Sequence, residues 1–265
     1  MSFLSIFSDY SSITIISLIL LSFLAGFIDA VVGGGGLISI PILLINFPQM
    51  ALPTLFGTNK IAALAGTSIS AIEYSRRVKF NYKLLLIVAF FAGLASFLGA
   101  KAISSIDVKT LKPVILIILI LISIYTFVKK DLGAIQTKTL SLNKQLVYGS
   151  ILGTVVGFYD GFFGPGTGSF FVLGFVVIMG FEFIEASAYS KVINCMTNIA
   201  ALVVFIKQGN YIIELAILMA VFNISGSFVG TRLALKKGNG FVRILFLVIV
   251  SLMIMRYGYD VFLAS

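Results

Sequence analysis

Two aspartates and two lysines stand inside otherwise apolar sequence, and they are the residues through which this chain could do chemistry. Asp29 lies in Gly26-Phe-Ile-Asp-Ala and Asp160 in Gly157-Phe-Tyr-Asp-Gly, each shortly before a run of glycines. Lys60 lies in Thr58-Asn-Lys-Ile-Ala-Ala-Leu and Lys191 in Ser190-Lys-Val-Ile-Asn194. A carboxylate at mid-membrane costs about 2.5–3.5 kcal/mol on insertion scales and is by default a functional candidate. Taking a carboxylate out of water favours its protonated form, so Asp29 and Asp160 are candidates for coupling to protons or sodium. The two lysines suit an anion, with Thr58, Asn59, Ser190 and Asn194 beside them as oxyanion donors. The structural alternatives are that each Asp pairs with a Lys or caps freed amides, that the lysines snorkel to the headgroups, and that the polar neighbours satisfy one another between helices.

Two glycine-rich breaks frame these residues. Gly33 to Gly36 are four consecutive glycines, and Gly164-Pro-Gly-Thr-Gly168 is a second, looser copy. Four glycines cannot hold a helix against their backbone entropy, so the chain must unwind there. At membrane depth such backbone is tolerated only where protein buries it or a watery cavity receives it, and secondary transporters build substrate sites from such breaks. Each break leads into a new short helix whose N-terminus carries unpaired amides and the positive end of the dipole. Gly34, Gly35 and Gly36, with Gly166, Thr167 and Gly168, are therefore candidate substrate contacts. Together with two lysines, two such N-termini would make a positive, dry pocket.

The elements that must position this site are membrane helices. The chain is 59% hydrophobic and 11% charged, with a mean hydropathy of +1.11, whereas soluble domains carry about 25% charged residues. Its apolar runs are continuous, without the alternating ten-residue segments of a β-barrel, so the fold class is an all-α integral membrane protein. The net charge of +9 comes from Lys and Arg in short connections. That suits loops facing an anionic leaflet, and nothing points to nucleic acid. A single cysteine, Cys195, excludes an internal disulfide. The absence of histidine argues against imidazole catalysis and metal chemistry, so no cofactor is expected. The N-terminus lacks a basic n-region and a small-residue cleavage site, which reads as a retained first span.

Ten apolar segments can be drawn, at 12–32, 37–47, 53–74, 83–103, 109–128, 144–163, 167–180, 186–206, 211–234 and 241–262. Sliding the chain by 131 residues superimposes Gly26-Phe-Ile-Asp29 on Gly157-Phe-Tyr-Asp160, Asn59-Lys60 on Ser190-Lys191, and Ser96-Phe-Leu-Gly-Ala-Lys101 on Ser227-Phe-Val-Gly-Thr-Arg232. The expected organisation is a first transmembrane repeat (1–128), a cytoplasmic linker (129–143) and a second repeat (144–265), with about 8–10 transmembrane segments. If the halves are inverted, twelve loop Lys and Arg fall on one side and four on the other; if parallel, nine and seven. The positive-inside rule favours inversion, counting the short segments 37–47 and 167–180 as crossings. The stripe Gly149, Gly153, Gly157 and Gly161, matched by Ser22, Gly26 and Ala30, reads as close helix packing. The phenylalanines read as packing and lipid-facing surface with no site role.

The motif Gly26-Phe-Ile-Asp-Ala-Val-Val-Gly-Gly-Gly-Gly followed by Pro41, Gly57-Thr-Asn-Lys60 opening a helix, and the degenerate Gly157-Phe-Tyr-Asp-Gly-Phe-Phe-Gly-Pro-Gly-Thr-Gly168 resemble the sulfite exporter TauE/SafE family, the TSUP permeases, over nearly the whole chain. The first motif departs from the family's pattern by reading four glycines where an apolar residue before three is expected. The second holds Pro165, so the half-sites are not expected to be equivalent. The resemblance implies a multi-pass transporter of the cell inner membrane, not an enzyme, for small sulfur-containing anions such as sulfite or a sulfonate, working by alternating access. The partners implied are the bilayer, a small anion, and protons or sodium. Oligomeric state, direction and the identity of the anion stay open. The competing readings are an anion channel, a cation-coupled carrier of another small organic anion, and, remotely, an intramembrane aspartyl protease built on Tyr159-Asp160, which lacks the Gly-x-Gly-Asp and Pro-Ala-Leu elements.

Overall fold

The computed structural model describes residues 10–103 and 140–262. The segment drawn at 109–128 and most of the linker at 129–143 lie outside the described residues. Within them every regular element is a helix. Helix α1 (Ser12–Val32) starts where the Ser11 hydroxyl accepts from the Thr14 amide, and stops at Gly33, whose φ of 84° is left-handed. Helix α2 (Gly36–Asn46) follows three residues later, and α3 (Leu52–Ser75) opens with Pro53 in its first turn, where a missing N–H costs nothing. Helix α4 (Tyr82–Ala102) is capped by Asn81. Helices α5 (Leu142–Phe162), α6 (Thr167–Gly174), α7 (Phe183–Lys207) and α8 (Ile213–Phe262) complete the described chain. A π-helical turn over Phe175–Met179 extends α6, and Gly180, at φ 79°, ends it. The segments drawn at 211–234 and 241–262 form one element, α8, bent at Gly238, where φ 79° and ψ −172° leave the helical region.

The protein is an all-α integral membrane protein. Among the described residues four stretches are long and apolar enough to cross a bilayer: Ser12–Val32, Tyr82–Ala102, Phe183–Lys207 and Ile213–Ile249. Their outward faces carry exposed Ile13, Leu20, Phe90, Leu94, Ile217 and Val221, as lipid-facing surfaces must. By contrast α2 and α6 are short. Eleven residues rise about 16 Å and cannot cross a hydrocarbon core of about 30 Å, and the same holds for α6 with its π turn. Length therefore does not carry the counting of 37–47 and 167–180 as full crossings.

The starts of α1 to α4 recur 130 or 131 residues later as those of α5 to α8, and the packing is reciprocal. Helix α4 packs on α5 and α7, while α8 packs on α1 and α3; α3 and α7 also pack on each other. Each set of four is thus braced by the last helix of the other. Small residues set these approaches. A Cβ on Gly161 would sit 1.8 Å from the Ser96 carbonyl oxygen of α4, and one on Gly26 would sit 2.2 Å from that of Asn223 on α8. Backbone this close is the purpose of a small-residue stripe in lipid, where apolar association has no water to drive it.

Gly161→Val should therefore overpack the α4–α5 seam and cost about 1–3 kcal/mol, read as a lowered thermal midpoint of the detergent-purified protein. A Cβ on Gly240 meets nothing within 4 Å, so Gly240→Ala should melt as the wild type or slightly higher. Equal melting of the two variants would contradict this packing.

Candidate functional site

Each site residue is placed by helix periodicity and by a break. On α3, Lys60 and Thr67 are seven residues apart and share a face; on α7, Lys191, Asn194 and Asn198 do the same. Asp29 and Asp160 lie in the last turns of α1 and α5, just before the chain unwinds. Folding brings these faces together crosswise. Lys60 Nζ donates to Asp160 Oδ2 at 2.9 Å and to Asn198 Oδ1 at 3.1 Å. Lys191 Nζ donates to Asp29 Oδ2 at 3.1 Å and also to the Asp29 carbonyl oxygen. Thr67 donates to the same Asp29 Oδ2 at 3.1 Å. Both pairs are buried, with side-chain exposures of 6% and 4% for Lys60 and Asp160, and 0% and 12% for Lys191 and Asp29. Each of these two lysines pairs with the aspartate of the other set.

The breaks meet backbone to backbone. The Ser169 amide donates to the Gly33 carbonyl at 3.1 Å, and a Cβ on Gly33 would lie 2.1 Å from the Gly168 carbonyl carbon. With φ at +84° as well, no other residue fits there. The carbonyls at the end of α1 would otherwise be orphaned at membrane depth. They are met in turn: Asp29 by the Gly33 amide and Lys191, Ala30 by the Tyr74 hydroxyl, Val31 by Ser187 and Val32 by the Ser169 hydroxyl. In the second break Tyr159 donates to the Pro165 carbonyl and Ser190 to that of Gly168.

Between the breaks lies a half-open cavity with about 420 Å³ of empty space, counting that shared with solvent. Of the residues singled out in the sequence, Asp29, Asp160, Lys60, Asn59, Asn194, Gly36, Gly166, Thr167 and Gly168 line it. Gly34, Gly35, Thr58, Ser190 and Lys191 do not. Thr58 donates to the Thr54 carbonyl and accepts from the Ile212 amide, tying α3 to the start of α8. Ser190 is used on the second break, and Lys191 stands behind Asp29. Sequence reasoning passed over Asn198, Phe56 and Phe163, which also line the cavity. Asn198 had a signal: it follows Lys191 by seven residues, as Thr67 follows Lys60. The two phenylalanines, packed edge to face with centroids 6.0 Å apart, had none among so many others.

The electrostatics differ from those of a pair of bare lysines. Each ammonium is matched by a carboxylate, so the charged groups bring no net positive field. What remains is a set of directional donors. Asn198 Oδ1 is held by Lys60 and Asn194 Oδ1 by the Thr197 hydroxyl at 3.2 Å. This leaves their Nδ2 groups without a protein partner among the described residues. Asn59 is likewise without one. All three are more than nine-tenths buried or at that limit, at 3%, 6% and 9% exposure. Such donors are costly to leave unmet, and they face the cavity where a ligand or water would meet them. Among the described residues no three His, Cys, Asp or Glu side chains gather as a metal site would require.

Residues 18–257 match the sulfite exporter TauE/SafE family. The chain belongs to this family. It is 39% identical over 232 residues to a probable membrane transporter protein, ORF9, of Sinorhizobium, covering 87% of each chain. It is 34% identical to a probable membrane transporter protein of Haemophilus influenzae, covering 90% of this chain and 92% of that one. The probable membrane transporter protein YfcA of Escherichia coli K12 is also 34% identical, over 92% of this chain and 89% of its own. No solved structure matches. The TauE/SafE chain described here is thus a multi-pass membrane transporter and not an enzyme, in keeping with carboxylates that are each paired to a lysine rather than to each other.

Breaking one buried pair strands a charge. Lys191→Met should destabilise the protein by about 3–5 kcal/mol, whereas the double variant Lys191→Met/Asp29→Leu should recover most of the loss. Thermal unfolding in detergent measures both, and a double variant no more stable than the single would show that the pair does not act as a unit.

Proposed function

We propose that this TauE/SafE transporter carries a small oxyanion, in the first place a sulfur oxyanion such as sulfite or a sulfonate, by alternating access around the cavity between its two breaks. The observation that carries the anion is the donor set. Lys60, Asn198 and Asn194 line one cavity, and the Oδ1 atoms of both asparagines are already taken, which leaves their Nδ2 groups as donors. The N-terminal turns of α2 and α6 open onto it at Gly36 and Gly168, adding dipole ends that favour negative charge, while the Thr167 amide and hydroxyl both donate to the Gly164 carbonyl. Thr67, Lys191 and the aspartates hold the frame of this donor set, with Asp29 and Asp160 as the groups through which a proton or sodium would couple. The sulfur class rests on the family's description. The cell inner membrane is the proposed location, with the repeats 1–128 and 144–265 inverted about the cytoplasmic linker 129–143; the loop charges favour this provided each short helix and the break before it together complete a crossing. The reciprocal packing of α4 and α8 supports a twofold relation and supplies two bodies that can rock against each other.

The test is uptake into proteoliposomes of labelled sulfite, methanesulfonate and acetate. Saturable uptake of the sulfur oxyanions with counterflow is expected, and a single-channel current instead would favour a pore. Lys60→Gln keeps a donor for Asp160 but removes the charge. It should lower uptake about ten- to a hundred-fold, the worth of one charge-assisted hydrogen bond. Wild-type rates in that variant would remove Lys60 from the site.

A further inference from the structure

Among the described residues the charged groups lining the cavity balance, and that balance limits what can enter it. Its ionised groups are Lys60 with Asp160, and Asp29 with Lys191 behind it; together their charges cancel. A monovalent anion brought among these buried groups gives up part of its hydration and finds no net positive charge among them to receive it. The two pairs are held differently, however. Asp29 Oδ2 takes bonds from both Lys191 and Thr67, and Lys191, with no exposed surface, is also held by the Asp29 carbonyl. Lys60 faces the cavity and holds Asp160 by a single bond. Its second acceptor, Asn198 Oδ1, would keep the ammonium in place if the carboxylate left. Asp160 Oδ1 has no protein donor among the described residues.

Resting on the anion-transporter reading, we propose that Asp160 occupies the substrate's place on Lys60, and that a monovalent anion displaces it only together with one proton. An oxygen of the anion takes over the Lys60 Nζ–H that Asp160 Oδ2 accepts at rest. The displaced carboxylate binds one proton from the compartment the anion came from. The loaded cavity is again neutral. On release to the other side the proton leaves Asp160, and the Lys60–Asp160 bond re-forms. Of the two candidate coupling carboxylates this leaves Asp160 alone to carry the proton, while the Lys191–Asp29 pair stays closed throughout and acts as a pin. Lys60 on α3 and, across the cavity, Asp29 on α1 are the ionisable groups that face Asp160. From α7 comes the uncharged Asn198, since Lys191 is spent on Asp29. Lys83 and Lys101 of α4 are exposed near its ends, and α6 carries no ionisable residue.

The experiment uses the full chain in proteoliposomes with methanesulfonate, the anion of a strong acid, so that any proton moving with it is carried by the protein. A lumenal pH dye should report about one proton per anion, and accumulation should not respond to a clamped membrane potential. An uncoupled monovalent anion would respond about fifty-fold to roughly 100 mV. Asp160→Asn cannot ionise, so whatever uptake it retains should move no proton and should follow the potential. Wild-type accumulation that tracks the potential, or an Asp160→Asn variant that still moves protons with the anion, would overturn the proposal. Should that variant not reach the membrane, the wild-type response to potential decides alone. Absence of methanesulfonate uptake also overturns it, and only absence of uptake of every anion tested would remove the transporter reading beneath.

Discussion

Two ammonium groups and two carboxylates are buried in the middle of this molecule, and the remaining architecture follows from the need to keep them paired. An isolated charge cannot be held in so dry an interior, and a pair is tolerated only with good geometry and its remaining bonds satisfied. Both pairs meet that requirement with donor–acceptor distances of 2.9 and 3.1 Å. Because each joins a lysine of one set of helices to an aspartate of the other, neither set of four can hold its charges alone. The crossed packing of α4 on α5 and α7, and of α8 on α1 and α3, is the arrangement that brings the partners together.

The broken helices obey the same accounting, applied to backbone instead of charge. A helix that stops inside a membrane leaves its last carbonyls without partners, and lipid offers none. Here Ser169, Ser187, Tyr74 and Lys191 meet the carbonyls of Asp29 to Val32. Most of these donors come from beyond the 131-residue offset, so backbone and charge lock the same seam. This is also why several polar residues near the site face away from the cavity: Ser190 and Ser187 are used up in closing breaks. The residues free to meet a ligand are those with a donor left over, chiefly Asn59, Asn194 and Asn198 around Lys60.

Repeat symmetry is visible in bonds as small as a single hydrogen. The Asn81 amide donates to the Tyr189 hydroxyl at 2.7 Å, and the Ile212 amide, 131 positions on, donates to the Thr58 hydroxyl at 2.9 Å. Thr58 and Tyr189 are themselves counterparts at that offset. Each holds the start of a bracing helix, which explains why Thr58 serves the fold and not the cavity. The symmetry is broken where function would need it to be. Lys60 faces open space and Lys191 does not, and Thr67 donates to a carboxylate where Asn198 accepts from an ammonium.

Composition and periodicity alone were enough for the membrane class, the helix ends at 12–32, the presence of breaks at Gly33 and around Gly164 (though Gly36, Thr167 and Gly168 are already helical), and the 131-residue spacing of the motifs. These depend on local physics: apolar length, the backbone freedom of glycine, and the spacing of like residues. The four ionisable residues were legible too, because a charge in apolar sequence has few explanations. Which carboxylate meets which lysine was not legible, since pairing across 100 or 162 positions is set by how helices cross and not by any neighbour in the chain. For the same reason the sequence suggested a positive pocket where pairing leaves a neutral one. It also could not tell Asn198, facing the cavity, from Ser190, facing a carbonyl, because a polar side chain's role depends on which partner packing puts within reach.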